Sequence, residues 1–196
     1  MRPVNRVLAA LADNGLLLKQ DKALPNVVSM LTGESLSTSW WSHPEAHLIF
    51  AVLSELAEHP DVLVTKLLYR KDTLVHKSLW PALLALGKAR EQWQMQGLSA
   101  DAKSLLERLD KGEGVIRAVG ASVKELEARL LVTTQEIHTE SGRHEIAVES
   151  WRSWSRRIKC IAIRSVPRAR KLLEEEAVKL GAPLKSLPWT AKSGDG

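Results

Sequence analysis

The pattern that most limits how this chain can fold occurs twice: an amphipathic helical stretch is followed by two β-prone runs around a short polar turn. In the first copy, AHLIFAVLSELAEH (46–59) has apolar residues at helical spacing, and DVLVTKLLYRKDTLVHK (61–77) predicts a β-hairpin. In the second copy, VKELEARLL (123–131) predicts a helix, and TTQEIHTESGRHEIAVES (133–150) predicts a hairpin that turns at Ser141-Gly142. Helices that alternate with antiparallel hairpins predict a helix-rich α+β fold of two small subdomains, each with a helix followed by a β-hairpin.

The remaining periodic segments predict where these subdomains begin and end. Helices are expected over 4–19, 78–96 and 99–112, and the polar, glycine-containing DKGEG predicts a hinge. The predicted division is an N-terminal helical subdomain with a hairpin at 1–111, a C-terminal subdomain with a basic helix at 112–181, and a flexible tail at 182–196.

Two helix starts have the spacing of a capping box, in which a hydroxyl and a carboxylate three residues apart satisfy each other's backbone amides. Ser42 precedes Glu45 with Pro44 in the first turn, and Ser122 precedes Glu125. These pairs predict helices that begin beside them.

A two-residue turn at Ser141-Gly142 also fixes the register of the second hairpin. It predicts that charged residues face charged ones and apolar residues face apolar ones across the strands. The predicted pairs are Glu140 with Arg143, His138 with Glu145, and Ile137 with Ile146.

Cysteine content and hydropathy limit the environment of the chain. Cys160 is the single cysteine of the 196 residues, which excludes an internal disulfide and indicates a reducing, cytoplasmic location. No apolar run approaches the roughly 18 residues that a membrane span needs, so no membrane partner is expected. The sequence contains no glycine-rich phosphate loop, nucleophile elbow or CxxC pair, and no cofactor is predicted.

Positive charge is concentrated in one segment. The chain has a formal net charge of +5, yet WRSWSRRIKCIAIRSVPRARK (151–171) has eight basic residues and no carboxylate. If 151–166 is one helix that ends at Val166-Pro167, its two tryptophans and Ile161 face inward and its arginines face outward. Guanidinium groups suit phosphate oxygens, so the segment predicts nucleic-acid binding. The alternatives are a solvated face partly paired with the acidic 174–176 or with carboxylates of the second hairpin, or a surface for an acidic protein or membrane.

The order of helix, hairpin and basic helix over residues 115–165 resembles the winged-helix domains that bind nucleic acids. The resemblance implies an exposed helix in the major groove and a hairpin wing on the backbone, here with Arg143 and His138 in contact with phosphates. In the candidate groove helix, Glu125 and Glu127 offset its cations, so weak sequence preference is expected. DNA is the preferred ligand. The predicted binding residues are Arg143, Arg152, Arg156, Arg157, Lys159, Arg164, Arg168, Arg170 and Lys171.

Other functions rest on scattered residues, and an enzyme is not favoured. His43 and His47 are spaced for a shared helix face, but HPEAH is not the HExxH metal motif, and no metal site is predicted. A pair of His138 with Glu145 offers acid–base chemistry on a nucleic-acid or nucleotide substrate, but no catalytic residue is assigned. Of the adjacent Trp40 and Trp41, one is expected to fill the seam between the first helix and the first hairpin and the other to lie nearer the surface, where it offers a stacking surface for a base. Trp189 offers a contact for a protein partner if the chain is an adaptor.

Overall fold

The computed structural model describes residues 2–112, 114–138 and 144–190, and its fold is the predicted helix-rich α+β. The helices are α1 (Pro3–Asn14), α2 (Val27–Thr32), α3 (Ala46–Ala57), α4 (Trp80–Ala89), α5 (Gln92–Met95), α6 (Ala100–Asp110), α7 (Ala121–Ala128), α8 (Trp151–Arg157) and α9 (Val166–Lys179). The strands are β1 (Leu16–Leu18), β2 (Val62–Thr65), β3 (Thr73–His76), β4 (Val115–Arg117), β5 (Val132–His138) and β6 (His144–Ser150).

The first sheet contains the predicted hairpin of β2 and β3, with β1 as a third antiparallel strand in the order β1-β3-β2. The strand β1 replaces the end of the helix predicted over 4–19. Gly15 ends α1 with a φ of 71°, and its N–H donates to the Leu11 carbonyl at 2.8 Å. All three leucines of β1 are buried, so the strand has none of the alternation that identifies strands in a sequence.

The second sheet has the corresponding strand order, β4-β6-β5, and contains the predicted second hairpin. Its register differs from the predicted one by one residue, since His138 pairs with His144 and Ile137 with Glu145. The register follows the core, because Val132 and Val148 are buried against α6 and α7 and lie on the same sheet face. Glu140, Arg143 and the turn lie outside the described residues.

The buried cores link parts of the chain that are distant in sequence. One cluster contains α1, the first sheet and α4, and Trp154 of α8 and Leu173 of α9 complete it. A second cluster contains α6, α7 and the second sheet. Packing therefore crosses position 111, where the sequence analysis divides the chain, in both directions.

Residues 182–190, predicted as part of a flexible tail, pack against the first core. Leu187 is buried there, and the Trp189 indole lies 6.2 Å from the Trp93 ring. The Trp189 N–H donates to Glu174 at 2.8 Å. Trp189 therefore contacts its own chain; residues 191–196 are not described.

Candidate nucleic-acid interface

The basic segment forms two helices, so the single helix predicted over 151–166 is wrong. Lys159 adopts a left-handed conformation with a φ of 57°, and the Cys160 N–H donates to the Ser155 carbonyl at 2.9 Å. This is a Schellman ending of α8. The next residues are irregular, and the Ile163 N–H donates to the Pro81 carbonyl at 3.0 Å instead of to a helical neighbour. Poor helix propensity of the β-branched isoleucines agrees with this break.

The proline predicted to end the helix instead begins the next one. Pro167 lies in the first turn of α9, where its missing N–H costs nothing, and Ser165 accepts a hydrogen bond from the Arg168 N–H at 3.3 Å. As a result, Ile161 lies on the connecting loop. Its side chain is 84% exposed, although helical spacing predicted a core position.

The eight cations of 151–171 divide into a paired and an unpaired set. Three form ion pairs: Arg157 with Glu149 at 2.7 Å, Arg170 with Glu91 at 2.7 Å, and Lys171 with Glu175 at 3.8 Å. Five are exposed and have no ion pair with any residue in the described ranges; these are Arg152, Arg156, Lys159, Arg164 and Arg168. The acids at 174–176 do not neutralise this unpaired set, because Glu174 binds Trp189 and Glu176 binds Lys179.

The Arg157 guanidinium has a structural role. The Glu149 side chain is only 6% exposed, and it accepts hydrogen bonds from Arg157 and from the Ser153 hydroxyl at 2.9 Å. The bond to Glu149 raises the pKa of Arg157 above its usual value. This pair fixes the end of α8 to strand β6.

A cleft with a volume of about 1160 Å³ lies between the two sheets and has α8 in one wall. Its lining includes residues of α3 and β2 and residues of α7, β5 and β6. Arg157 and Ile158 line it, so the exposed Arg156 and Lys159 are directly beside its wall in the chain. We refer to the five unpaired cations as the cationic surface; two of them, Arg156 and Lys159, are thus sequence neighbours of residues that line the cleft.

An aromatic platform lies at the cleft. Trp40 and Trp41 belong to one short 3-10 turn and stack, with ring centroids 4.0 Å apart and planes 25° apart. Trp40 is buried, while Trp41 is 62% exposed and lies 5.8 Å from the Phe50 ring. The prediction that one indole is buried and the other lies nearer the surface is confirmed, but Trp40 packs with Val28 of α2 and Ile49 of α3 instead of filling the seam between α1 and the hairpin. The structure adds that the two indoles are in contact.

Charged groups inside the cleft are largely balanced within the chain. Asp72 pairs with Lys66 and, at 3.5 Å, with Lys19. Burial raises the pKa of the Glu127 carboxyl, although the Thr134 hydroxyl donates to it at 2.6 Å. Sequence reasoning identified neither Glu127 nor Glu149 as part of a site, and no local motif marks them.

Of the four histidines whose side chains the structure describes, His59 lines the cleft and His43, His47 and His76 do not. The His43 Nδ1 accepts from the Glu45 N–H at 3.1 Å and its Nε2 lies 3.3 Å from Glu34. This local arrangement replaces the predicted capping box of Ser42 and Glu45. Neither His43 nor His47 lines the cleft, and the described residues contain no group of three or more side chains suited to a metal ion. The second predicted capping box is also wrong, because Glu125 accepts from Ser99 instead.

Two further candidates for chemistry are the Cys160 thiol and the predicted pair of His138 with Glu145. Burial raises the pKa of the Cys160 thiol, which disfavours the reactive thiolate. The side chains of His138 and Glu145 lie outside the described residues, but the backbone register places Glu145 opposite Ile137, so the predicted pair is wrong.

Comparisons with known proteins assign no family. None of the helices in the described ranges has the length and hydropathy of a membrane span. No family model and no solved structure matches the chain. Myosin-3 of Caenorhabditis briggsae is 32% identical over 151 residues, an alignment that includes 73% of this chain and 7% of the myosin. The chain thus spans a small fraction of the relative that it matches.

Proposed function

We propose that the protein binds nucleic acid, with DNA as the preferred ligand and with low sequence specificity, through the unpaired cations at 152–168. The observation that carries the proposal is that five cations, close together in the sequence, are exposed and form no ion pair with any residue in the described ranges. Phosphate contacts release counterions and supply most of the affinity of sequence-independent binding.

The strand order of the two sheets and the helices before their hairpins support this proposal. Each sheet has its first strand next to its third, and each hairpin follows a helix, as in the winged-helix resemblance of residues 115–165. The helices before the hairpins, α3 and α7, both line the cleft. Glu58, directly after α3, and Glu127 of α7 disfavour phosphates there, so the phosphates are assigned to the cationic surface and not to α3 or α7.

The test is a titration of fluorescent single-stranded and duplex oligonucleotides over a salt series. Binding is expected to weaken as salt rises, with the slope of log affinity against log salt increasing by about 0.7 to 0.9 per phosphate contacted. A triple variant, Arg152→Ala, Arg156→Ala and Arg164→Ala, is expected to weaken binding to all sequences alike and to reduce that slope.

A charge-matched control removes three exposed lysines from other elements, by Lys22→Ala, Lys103→Ala and Lys185→Ala. It has the same net charge as the triple variant. If both triple variants weaken binding equally, net charge and not the surface at 152–168 accounts for the affinity. If the wild-type chain shows no salt-dependent binding to any oligonucleotide, the proposed function is wrong.

A further inference from the structure

We propose that the cleft receives an unpaired nucleobase, held flat against Trp41, from a strand whose phosphates contact the neighbouring cations. This inference rests on the proposed function and specifies its ligand as a single-stranded or locally unpaired region. Three observations carry it: the charge balance of the cleft, its aromatic platform, and the unpaired cations that are sequence neighbours of its lining residues.

The charge balance of the cleft favours an uncharged ligand. Asp72 is neutralised by two lysines and Glu149 by Arg157, while burial of Glu127 opposes its ionisation. The other lining charges are two acids and two cations, Glu58, Glu136, Arg70 and Lys124. A phosphate inside would face these carboxylates, whereas a nucleobase has no net charge.

The aromatic platform favours a flat ligand. Trp41 exposes one large ring to the cleft, and Trp40, buried beneath it, holds that ring in place by stacking. Phe50 provides a second aromatic surface nearby. Stacking on such a ring tolerates any base, because every base has a π-face, and it contributes about 1–3 kcal/mol per base.

Polar groups elsewhere in the lining of the cleft suit the edge of a base. Glu127, Thr134 and Gln135 line the cleft and offer hydroxyl, carboxyl and amide groups. Base edges present a mixture of donors and acceptors, which such groups satisfy. The volume of about 1160 Å³ exceeds that of a pocket for one small molecule, so a base can enter with its sugar.

Two of the unpaired cations are sequence neighbours of residues that line the cleft. Arg156 and Lys159 are exposed, and their neighbours Arg157 and Ile158 form the cleft wall. We expect the phosphates of a strand that places a base on Trp41 to contact these unpaired cations.

The test uses the full chain and a single strand of about 12 nucleotides, within the usual range of site sizes, with one central 2-aminopurine. Stacking quenches this base, so quenching on binding is expected. Trp41→Ala is expected to weaken binding roughly 5- to 150-fold and to abolish the quenching, while Trp41→Phe retains most of both. Phe50→Ala serves as a second cleft variant. Tyr69→Ala, which removes an aromatic side chain that is 42% exposed and does not line the cleft, is expected to have no effect.

The outcomes separate this inference from the proposed function. Salt-dependent binding that Trp41→Ala and Phe50→Ala leave unchanged, without quenching, would overturn the base site and leave the proposed function standing. If no oligonucleotide binds, the proposed function fails, and the base site is tested alone with the nucleoside 2-aminopurine riboside. Quenching of that nucleoside by the wild-type chain but not by Trp41→Ala supports the site, and its absence overturns it.

Discussion

Two neighbouring arginines in the basic segment have different roles, because one of them has a buried carboxylate as its partner and the other has no ion pair among the described residues. Arg156 is exposed and has no ion pair among the described residues, whereas the adjacent Arg157 binds the buried Glu149. The sequence alone cannot separate them, because both belong to one run of cations. The separation depends on strand β6, which places Glu149 under the end of α8.

The first prediction concerns these two residues. Arg157→Ala leaves the Glu149 carboxylate buried with only the Ser153 hydroxyl as a described partner, which is expected to lower the free energy of unfolding by about 1–3 kcal/mol. Because Arg157 itself is half exposed, water reduces the loss below that of a fully buried pair. Arg156→Ala is expected to change stability by less than about 0.5 kcal/mol. Urea unfolding of both variants measures the difference, and equal stabilities would contradict a structural role for Arg157.

At the scale of helices and strands, the sequence predicted the elements with clear periodicity. Both hairpins, α3 and α6 follow from alternation and helical spacing. The strand β1 was missed because Leu16–Leu18 is apolar throughout, and β4 was missed because three residues of Val115–Arg117 are too few to show a period. The break after α8 was missed because tertiary hydrogen bonds, including that of Ile163 to Pro81, determine it.

The candidate site was predictable only in part, for a similar reason. The cationic run is local in sequence and was found, whereas the sequence identified the pair of Trp40 and Trp41 without showing which of the two is exposed. The cleft brings together Trp41, Glu127 and Glu149, which are far apart in the chain and belong to no motif. Only the folded arrangement shows that they line one space.

The contact of α8 with α4 gives the second prediction. Gly87 lies inside α4, and a Cβ at this position would overlap the Trp151 indole, whose N–H donates to the Leu130 carbonyl at 2.8 Å. In an isolated helix, alanine is favoured over glycine by about 1 kcal/mol. Here Gly87→Ala is expected to destabilise the protein by about 1–3 kcal/mol, because the buried Trp151 must move.

Thermal or urea unfolding of Gly87→Ala measures this effect. Gly33→Ala is unsuitable as its control because Gly33 has a φ of 80°. The exposed helical Ser104→Ala in α6 is a better one and is expected to change stability little. A stabilised Gly87→Ala protein would mean that helix propensity outweighs the contact with Trp151.

At the scale of the whole molecule, the last two helices pack into the core that the first part of the chain forms. After the second sheet, α8 and α9 pack on α4, and Trp154, Leu173 and Ala177 enter the core begun by α1 and the first sheet. The parts of the chain before and after residue 111 are thereby joined by packing as well as by the covalent chain. This packing fixes α8, which has Arg152 and Arg156 on its exposed side and Trp154 and Arg157 in the lining of the cleft.

The third prediction follows from this shared core. A fragment of residues 1–111 corresponds to the predicted N-terminal subdomain, but it lacks the buried side chains of α8 and α9 and exposes the leucines of α4 that they cover. It is expected to unfold without a cooperative transition and to bind a hydrophobic dye, whereas residues 1–190 unfold in one transition with coincident fluorescence and circular-dichroism curves. Cooperative unfolding of 1–111, with a denaturant slope in proportion to its length, would instead show an independent subdomain. In that case α8 and α9 would pack on a subdomain that is already stable without them. The cleft would then be free to widen as residues 1–111 and the second sheet move apart.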